Sequence, residues 1–136
     1  LENKFEEKIK NRLHRAWEEW KPGYEDWIKW SDGLYAPDAT IIAIGDEPQR
    51  FKDYQKSMKD QRDMFAMDMG AIENCVAEDK TVAISYKMYL TPNQTMGKLE
   101  AGKTITIKVT EFNTFAEIPG YDEPMVTRLE LISNSL

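Results

Sequence analysis

The stretch Lys103–Ile118, KTITIKVTEFNTFAEI, alternates from end to end with the two-residue period of a β-strand. Ile105, Ile107, Val109, Glu111, Asn113 and Phe115 fall on one face, and Thr104, Thr106, Lys108, Thr110, Phe112 and Thr114 on the other. The first face begins as core and then presents a carboxylate and an amide between Val109 and Phe115. A carboxylate on the apolar side of a strand is costly unless it is paired, protonated or facing a cavity. Any fold for this chain must therefore cover a long strand and give Glu111 a reason to be inside.

The rest of the chain supplies the cover. Phe5, Ile9, Leu13, Trp17 and Trp20 recur at helical spacing and predict an amphipathic helix over residues 3–20, broken by Pro22-Gly23. A shorter second helix carries Tyr24, Trp27, Ile28 and Trp30 and ends at Ser31-Asp32-Gly33. A turn at Ala36-Pro37-Asp38 leads into a β-rich run, Ala39–Ile44, closed by Gly45-Asp46. A third helix is expected over Gln49–Phe65, with Phe51, Tyr54, Met58 and Phe65 on one side. Beyond it, Met67–Ala77 alternates weakly, Glu78-Asp79-Lys80 turns, and Thr81–Leu90 is a strong strand, so the pair predicts a hairpin. The polar segment Thr91–Gly102 joins it to the opening strand, and after a loop over Ile118–Pro124 a last strand runs through Met125–Ser133. Helices first, then a meander of long strands, predict an α+β domain: about three N-terminal helices on one face of a curved antiparallel sheet. No repeat or linker interrupts residues 1–136, so a single domain is expected.

Bulk properties narrow the function. At 136 residues the chain can bury roughly two-thirds of its unfolded surface. A net charge of -6 argues against a nucleic-acid partner, which needs clustered Lys and Arg. The basic residues are interspersed with acids, most densely in Glu2–Arg15 and Arg50–Arg62, and read as solvated helix faces. One Cys and one His exclude structural zinc, and Cys75 reads as a small interior residue. With no ligand cluster and no glycine-rich phosphate loop, no metal or cofactor is expected. No apolar run approaches the roughly 20 residues of a membrane helix and no signal peptide is visible, so no membrane partner and a cytoplasmic location are expected. The chain begins at Leu1, which leaves a removed leader open.

The order of elements, together with Leu34-Tyr35-Ala36-Pro37-Asp38-Ala39-Thr40 and a Trp upstream at Trp27, resembles the nuclear transport factor 2-like superfamily. This is the cystatin-like cone of ketosteroid isomerases, scytalone dehydratase and SnoaL-type polyketide cyclases. The resemblance covers essentially the whole chain through loose motifs. It implies a deep apolar pocket between the helices and the concave sheet face, and often a homodimer through the outer sheet face. In the isomerases a carboxylic acid in the strand phrase acid-any-Phe-any-Phe donates a hydrogen bond to substrate, and an apolar site keeps it neutral. Glu111-Phe112-Asn113-Thr114-Phe115 is similar, with Glu111 on the acid and Phe115 on the last aromatic, but Asn113 replaces an apolar ring. The isomerases' general base lies three residues after the Thr of the DAT phrase, where this chain has Ala43. A copy of steroid isomerisation is therefore not expected.

Within that frame the sequence offers Glu111 as a general acid or base, its pKa raised by burial. The plain alternative is an interior ion pair with Arg128 or Lys108. His14, at the edge of the helix-one stripe beside Leu13 and Trp17, either faces the pocket as a second proton-transfer group or lies at the boundary without a role. Trp17 and Trp30 are expected to wall the cavity, with Met88 filling it. Tyr86 would reach a ligand oxygen or bond a helix end, and Asn113 would orient the ligand. Arg128 and Glu130 should lie on the opposite face of the last strand. The resulting expectation is a SnoaL-like enzyme carrying out cofactor-free isomerisation, dehydration or cyclisation of a small hydrophobic carbonyl or cyclic metabolite. A non-catalytic domain that binds a small hydrophobic molecule, and a protein-interaction module with a self-filled pocket, are the rivals.

Overall fold

The computed structural model describes residues 3–43 and 46–134. Leu1, and the expected end of the first strand at Ile44-Gly45, lie outside the described residues. Helix α1 spans Lys4–Glu19 and opens on a capping box: Asn3 Oδ1 accepts from Glu6 N while Glu6 Oε1 accepts from Asn3 N. Glu6 Oε2 also accepts from Asp79 N at 2.6 Å, tying the helix start to a turn of the sheet. Helix α2 spans Tyr24–Asp32, strand β1 Tyr35–Ile42, and strand β2 only Gln49–Arg50. Helix α3 runs Phe51–Met64, followed by β3 (Phe65–Met69), β4 (Asn74–Glu78), β5 (Thr81–Pro92), β6 (Ile105–Ala116) and β7 (Met125–Ser133).

The strands form one curved sheet in the order β2-β1-β7-β6-β5-β3, with β4 also on β5. Three helices pack on it, as the α+β expectation required, but the sheet is mixed because β1 runs parallel to β7. Strand β1 also begins earlier than expected, at Tyr35. Pro37 and Asp38 sit in an irregular stretch between the Tyr35–Val126 and Thr40–Arg128 partners, where the register shifts. At the other edge, the single weak strand expected over Met67–Ala77 divides in two. Strand β3 pairs with the Met88–Pro92 end of β5, and β4 pairs with the Thr81–Ser85 end. Gly70 sits at the division. Its N–H donates to Lys87 O at 2.7 Å, and a Cβ there would stand 3.2 Å from that same carbonyl. The residues expected to begin α3 pair with β1 instead, Gln49 with Ile41 and Arg50 with Thr40.

Strand β6 alternates as its sequence dictates: Ile107, Val109, Glu111, Asn113 and Phe115 are buried, and Thr106, Lys108 and Phe112 are exposed. Its neighbours repeat the pattern, placing Val82, Ile84, Tyr86 and Leu90 of β5 and Leu129 of β7 in the same core as Ile9 and Leu13 of α1. Helix α1 departs from the simple amphipathic reading at Arg12, which is buried rather than solvated. Arg12 Nε donates to Pro124 O at 3.0 Å and Nη2 to Gly33 O at 2.5 Å, while Nη1 lies 3.7 Å from Glu123. The guanidinium thus straps α1 to the end of α2 and to the loop before β7.

Candidate functional site

A cavity of about 320 Å³ lies between the three helices and the concave face of the sheet. Trp17 and Trp20 come from α1 and its end, Trp27 and Trp30 from α2, Tyr54 and Arg62 from α3. The sheet contributes Tyr86, Met88, Val109, Glu111, Leu129 and Leu131. The volume sits at the low end of the range typical of small-molecule sites, roughly 300–1,000 Å³. All four Trp rings line it, the expected Trp17 and Trp30 among them, and the indoles of those two are held from outside. Trp30 Nε1 donates to Ala16 O at 2.7 Å and Trp17 Nε1 to Gly70 O at 3.3 Å. The Trp17 ring meets Tyr86 edge-on, with centroids 4.8 Å apart.

Glu111 borders this cavity at 5% exposure. It makes no ion pair with a described residue. Arg128 pairs with Glu130 on the outer face, and Lys108 is also exposed there, so the ion-pair alternative does not hold. The carboxylate is instead held by neutral groups: Tyr86 Oη donates to Oε2, and Asn113 Nδ2 donates to Oε1 at 3.3 Å. Burial pushes the Glu111 pKa above that of an ordinary glutamate, and the two hydrogen bonds pull it back without cancelling the effect. Tyr86 is held well above a normal phenol by its own burial and then by the neighbouring carboxylate, so it keeps its proton. If Glu111 takes up a proton, the same contact can reverse, with the carboxyl donating to Oη and the Tyr86 proton freed towards the cavity.

Two expected site residues sit elsewhere. His14 is exposed on α1 and does not line the cavity. It lies about 100° round the helix from Leu13, past the edge of the buried stripe, so of the two readings of His14 the pocket group does not hold and the boundary histidine does. Asn113 is fully buried behind Glu111 rather than on the cavity wall, so it positions the carboxylate and does not reach a ligand. Its Oδ1 has no hydrogen-bond partner. Tyr86 lines the cavity, but its hydroxyl is engaged by Glu111 rather than by a helix end.

The structure adds groups that sequence reasoning missed. Tyr35 and Tyr54 line the cavity and their hydroxyls make no hydrogen bond to a described residue. Burial, with Glu111 adding to it, raises Tyr35 well above a normal phenol and Tyr54 to about 12, so both are neutral donors. Tyr35 belongs to the LYAPDAT phrase itself, and that phrase was the available signal. Ala43 lines the cavity where the isomerases would place a base, and Asp46, three residues on, borders it too. Arg62 was read as part of a solvated basic face but turns inward. No group of three or more potential metal ligands occurs among the described residues.

No family model and no curated protein matches the sequence. Solved structures do match in shape. A protein of Xanthomonas campestris pv. campestris, provisionally assigned as a polyketide cyclase, superposes with a TM-score of 0.71 at 17% identity, over 96% of this chain and 93% of that one. A SnoaL-like polyketide cyclase, also a provisional assignment, from Jannaschia sp. CCS1 gives 0.67 at 13% identity, over 98% and 90%. AclR of Streptomyces galilaeus, provisionally assigned as a hydroxylase, gives 0.65 at 20% identity, over 94% and 75%. The chain therefore has the SnoaL-like form of the nuclear transport factor 2-like fold, as its element order and LYAPDAT phrase implied. Those neighbours carry names for different chemistries on that one frame, so function has to be argued from the cavity.

Proposed function

We propose that this protein is a small SnoaL-like enzyme that moves protons on a hydrophobic carbonyl or cyclic metabolite without a cofactor, by isomerisation, dehydration or cyclisation. The observation that carries this reading is Glu111: a buried carboxyl with no cationic partner among the described residues, held by Tyr86 and Asn113 at the wall of an aromatic cavity. A buried carboxyl whose pKa is shifted upwards is better able to accept and return a proton than an exposed glutamate, and such shifts gather at functional sites. Substrate would lie flat against the Trp walls, with an acidic C–H at Glu111 and its carbonyl oxygen near the free hydroxyls of Tyr35 or Tyr54. Glu111 removes the proton, a tyrosine hydroxyl stabilises the developing enolate oxygen, and the proton is returned at another carbon or lost with a leaving hydroxyl.

The cavity itself favours this reading over a protein-interaction module, whose pocket would be filled by its own side chains. A non-catalytic binding domain is favoured by one observation, the alanine at position 43 where the isomerases carry their base. Hydrogen–deuterium exchange separates the two. A panel of aromatic and cyclic ketones is incubated in D2O with wild type and with Glu111→Gln, and exchange beside the carbonyl is followed by NMR. Exchange by wild type, slowed about 10²–10⁴-fold in the variant, is the expected result. Binding of the same ketones with equal background exchange in both proteins would leave only the binding domain.

A further inference from the structure

Two arginines are drawn into the interior, and they are treated differently. Arg12 is saturated by the Pro124 and Gly33 carbonyls and by Glu123. Arg62, in the last turn of α3, has no carboxylate within ion-pair distance among the described residues and no carbonyl partner. Its Nε is buried without a hydrogen bond, and Nη1 rests only on the Met67 sulfur. The guanidinium instead lies over two rings of the cavity wall, 5.2 Å from the Trp27 centroid and 5.9 Å from that of Trp20. Such ring contacts favour a cation, but they supply no oxygen acceptor to its donors, and the Met67 sulfur on Nη1 is a weak one. A half-buried cation with no counter-ion carries an uncompensated desolvation cost, and Arg62 lines the cavity, where an anionic ligand group would offset it.

We infer that Arg62 receives a carboxylate of the ligand, so that the substrate class is a flat aromatic or polycyclic acid. This rests on the reading of the cavity as a ligand site and adds the chemical class. The guanidinium matches a carboxylate in bidentate geometry, which a neutral ketone or ester cannot reproduce. The arrangement also separates tasks. Trp20 and Trp27 beside Arg62 would stack the ring that bears the acid. Tyr54, Arg62 and Glu111 line the same cavity, so a ligand anchored at Arg62 would share it with the reacting carboxyl. Glu111 makes no ion pair with Arg62, so the anchor does not neutralise the acid/base group.

Calorimetric titration of 2-naphthoate and 2-naphthamide into wild type, Arg62→Lys and Arg62→Met at pH 7 tests the assignment, with circular dichroism confirming that each variant is folded. Wild type should bind the acid at least tenfold more tightly than the amide. The preference should disappear in Arg62→Met while amide affinity is retained, and survive in part in Arg62→Lys, which keeps the charge but loses the fork. Equal affinity of wild type for acid and amide, or an acid preference that persists in Arg62→Met, would overturn this inference and leave the cavity reading standing. Failure of wild type to bind either probe at millimolar concentration would overturn both.

Discussion

At the scale of single residues, Glu111 sets a measurable pH dependence. Its pKa is raised in the folded protein, so the native state binds this proton more tightly than the unfolded chain does. The contribution to stability is complete below the unfolded value and is lost as pH rises through the folded one. Glu111→Gln should therefore melt a few degrees above wild type at pH 7, with the gap closing towards pH 4. The glutamine keeps an acceptor for Tyr86, and its N–H can reach Asn113 Oδ1 once the Asn113 amide turns over in place of its present bond to Oε1. A gap that widens on acidification would show that the carboxylate is the form the fold prefers. Tyr86→Phe probes the same group from its partner. The Tyr86 hydrogen bond lowers the Glu111 pKa, so its loss should move the carboxyl titration, followed by NMR of labelled glutamate, to higher pH. An unmoved titration would mean that burial alone governs the group.

Between elements, Arg12 ties α1 to the end of α2 and to the loop before β7. Arg12→Met preserves length and apolar packing while leaving the Pro124 and Gly33 carbonyls without their donor. A cost of about 2–3 kcal/mol is expected in urea unfolding with an unchanged slope, because hydrogen bonds from a charged donor are at stake in a buried setting. Arg12→Lys should recover little, since one ammonium cannot span carbonyls from two chain segments. Helix α1 also shows where sequence legibility stops. Its stripe of Ile9, Leu13 and Trp17 was visible from spacing, as was the alternation of β6 that carried Glu111 inside. Arg12 and Arg62 were not, because helical periodicity places charged residues outside by default. Only contacts distant in sequence, such as Arg12 with Pro124, reveal that a cation is held within. The division of β3 from β4 was hidden for a similar reason: β5 is long enough to pair both, and its length in space is not written in the residues of either partner. His14 failed differently, by an error of angle on a helix whose register against the sheet is set by tertiary packing. Tyr35 was visible as part of LYAPDAT, but a residue ahead of the expected strand, two positions before a proline, gave no sign of which way its ring would turn.

For the molecule as a whole, the outer face of the sheet poses a problem that the cavity does not solve. Strand pairing sets Val76, Ala83, Phe112 and Glu130 in one row across β4, β5, β6 and β7, with Ile132 in the next row beside Thr110. Val76 is 64% exposed, Ile132 50% and Phe112 37%, although all three lie in regular strands. Apolar side chains grouped on a solvent-facing sheet point to a covering layer. We propose that a second copy of this chain covers the face, as a homodimer. Arg128, Glu130 and Ile132 follow one another along that face of β7, and the two charges pair with each other within the chain, which leaves the apolar side chains as the part to be covered. Sedimentation velocity over a concentration series should then show a dimer in wild type. Phe112→Lys and Ile132→Lys should each weaken it roughly tenfold or more, since a buried lysine opposite its own copy is both unpaired and repelled. Both substitutions face away from the cavity, so melting of the isolated protomer and binding of aromatic probes should be left intact. A wild type that sediments as a monomer at every concentration would remove the second copy as the covering layer, and leave the row of Val76, Ala83 and Phe112 facing water.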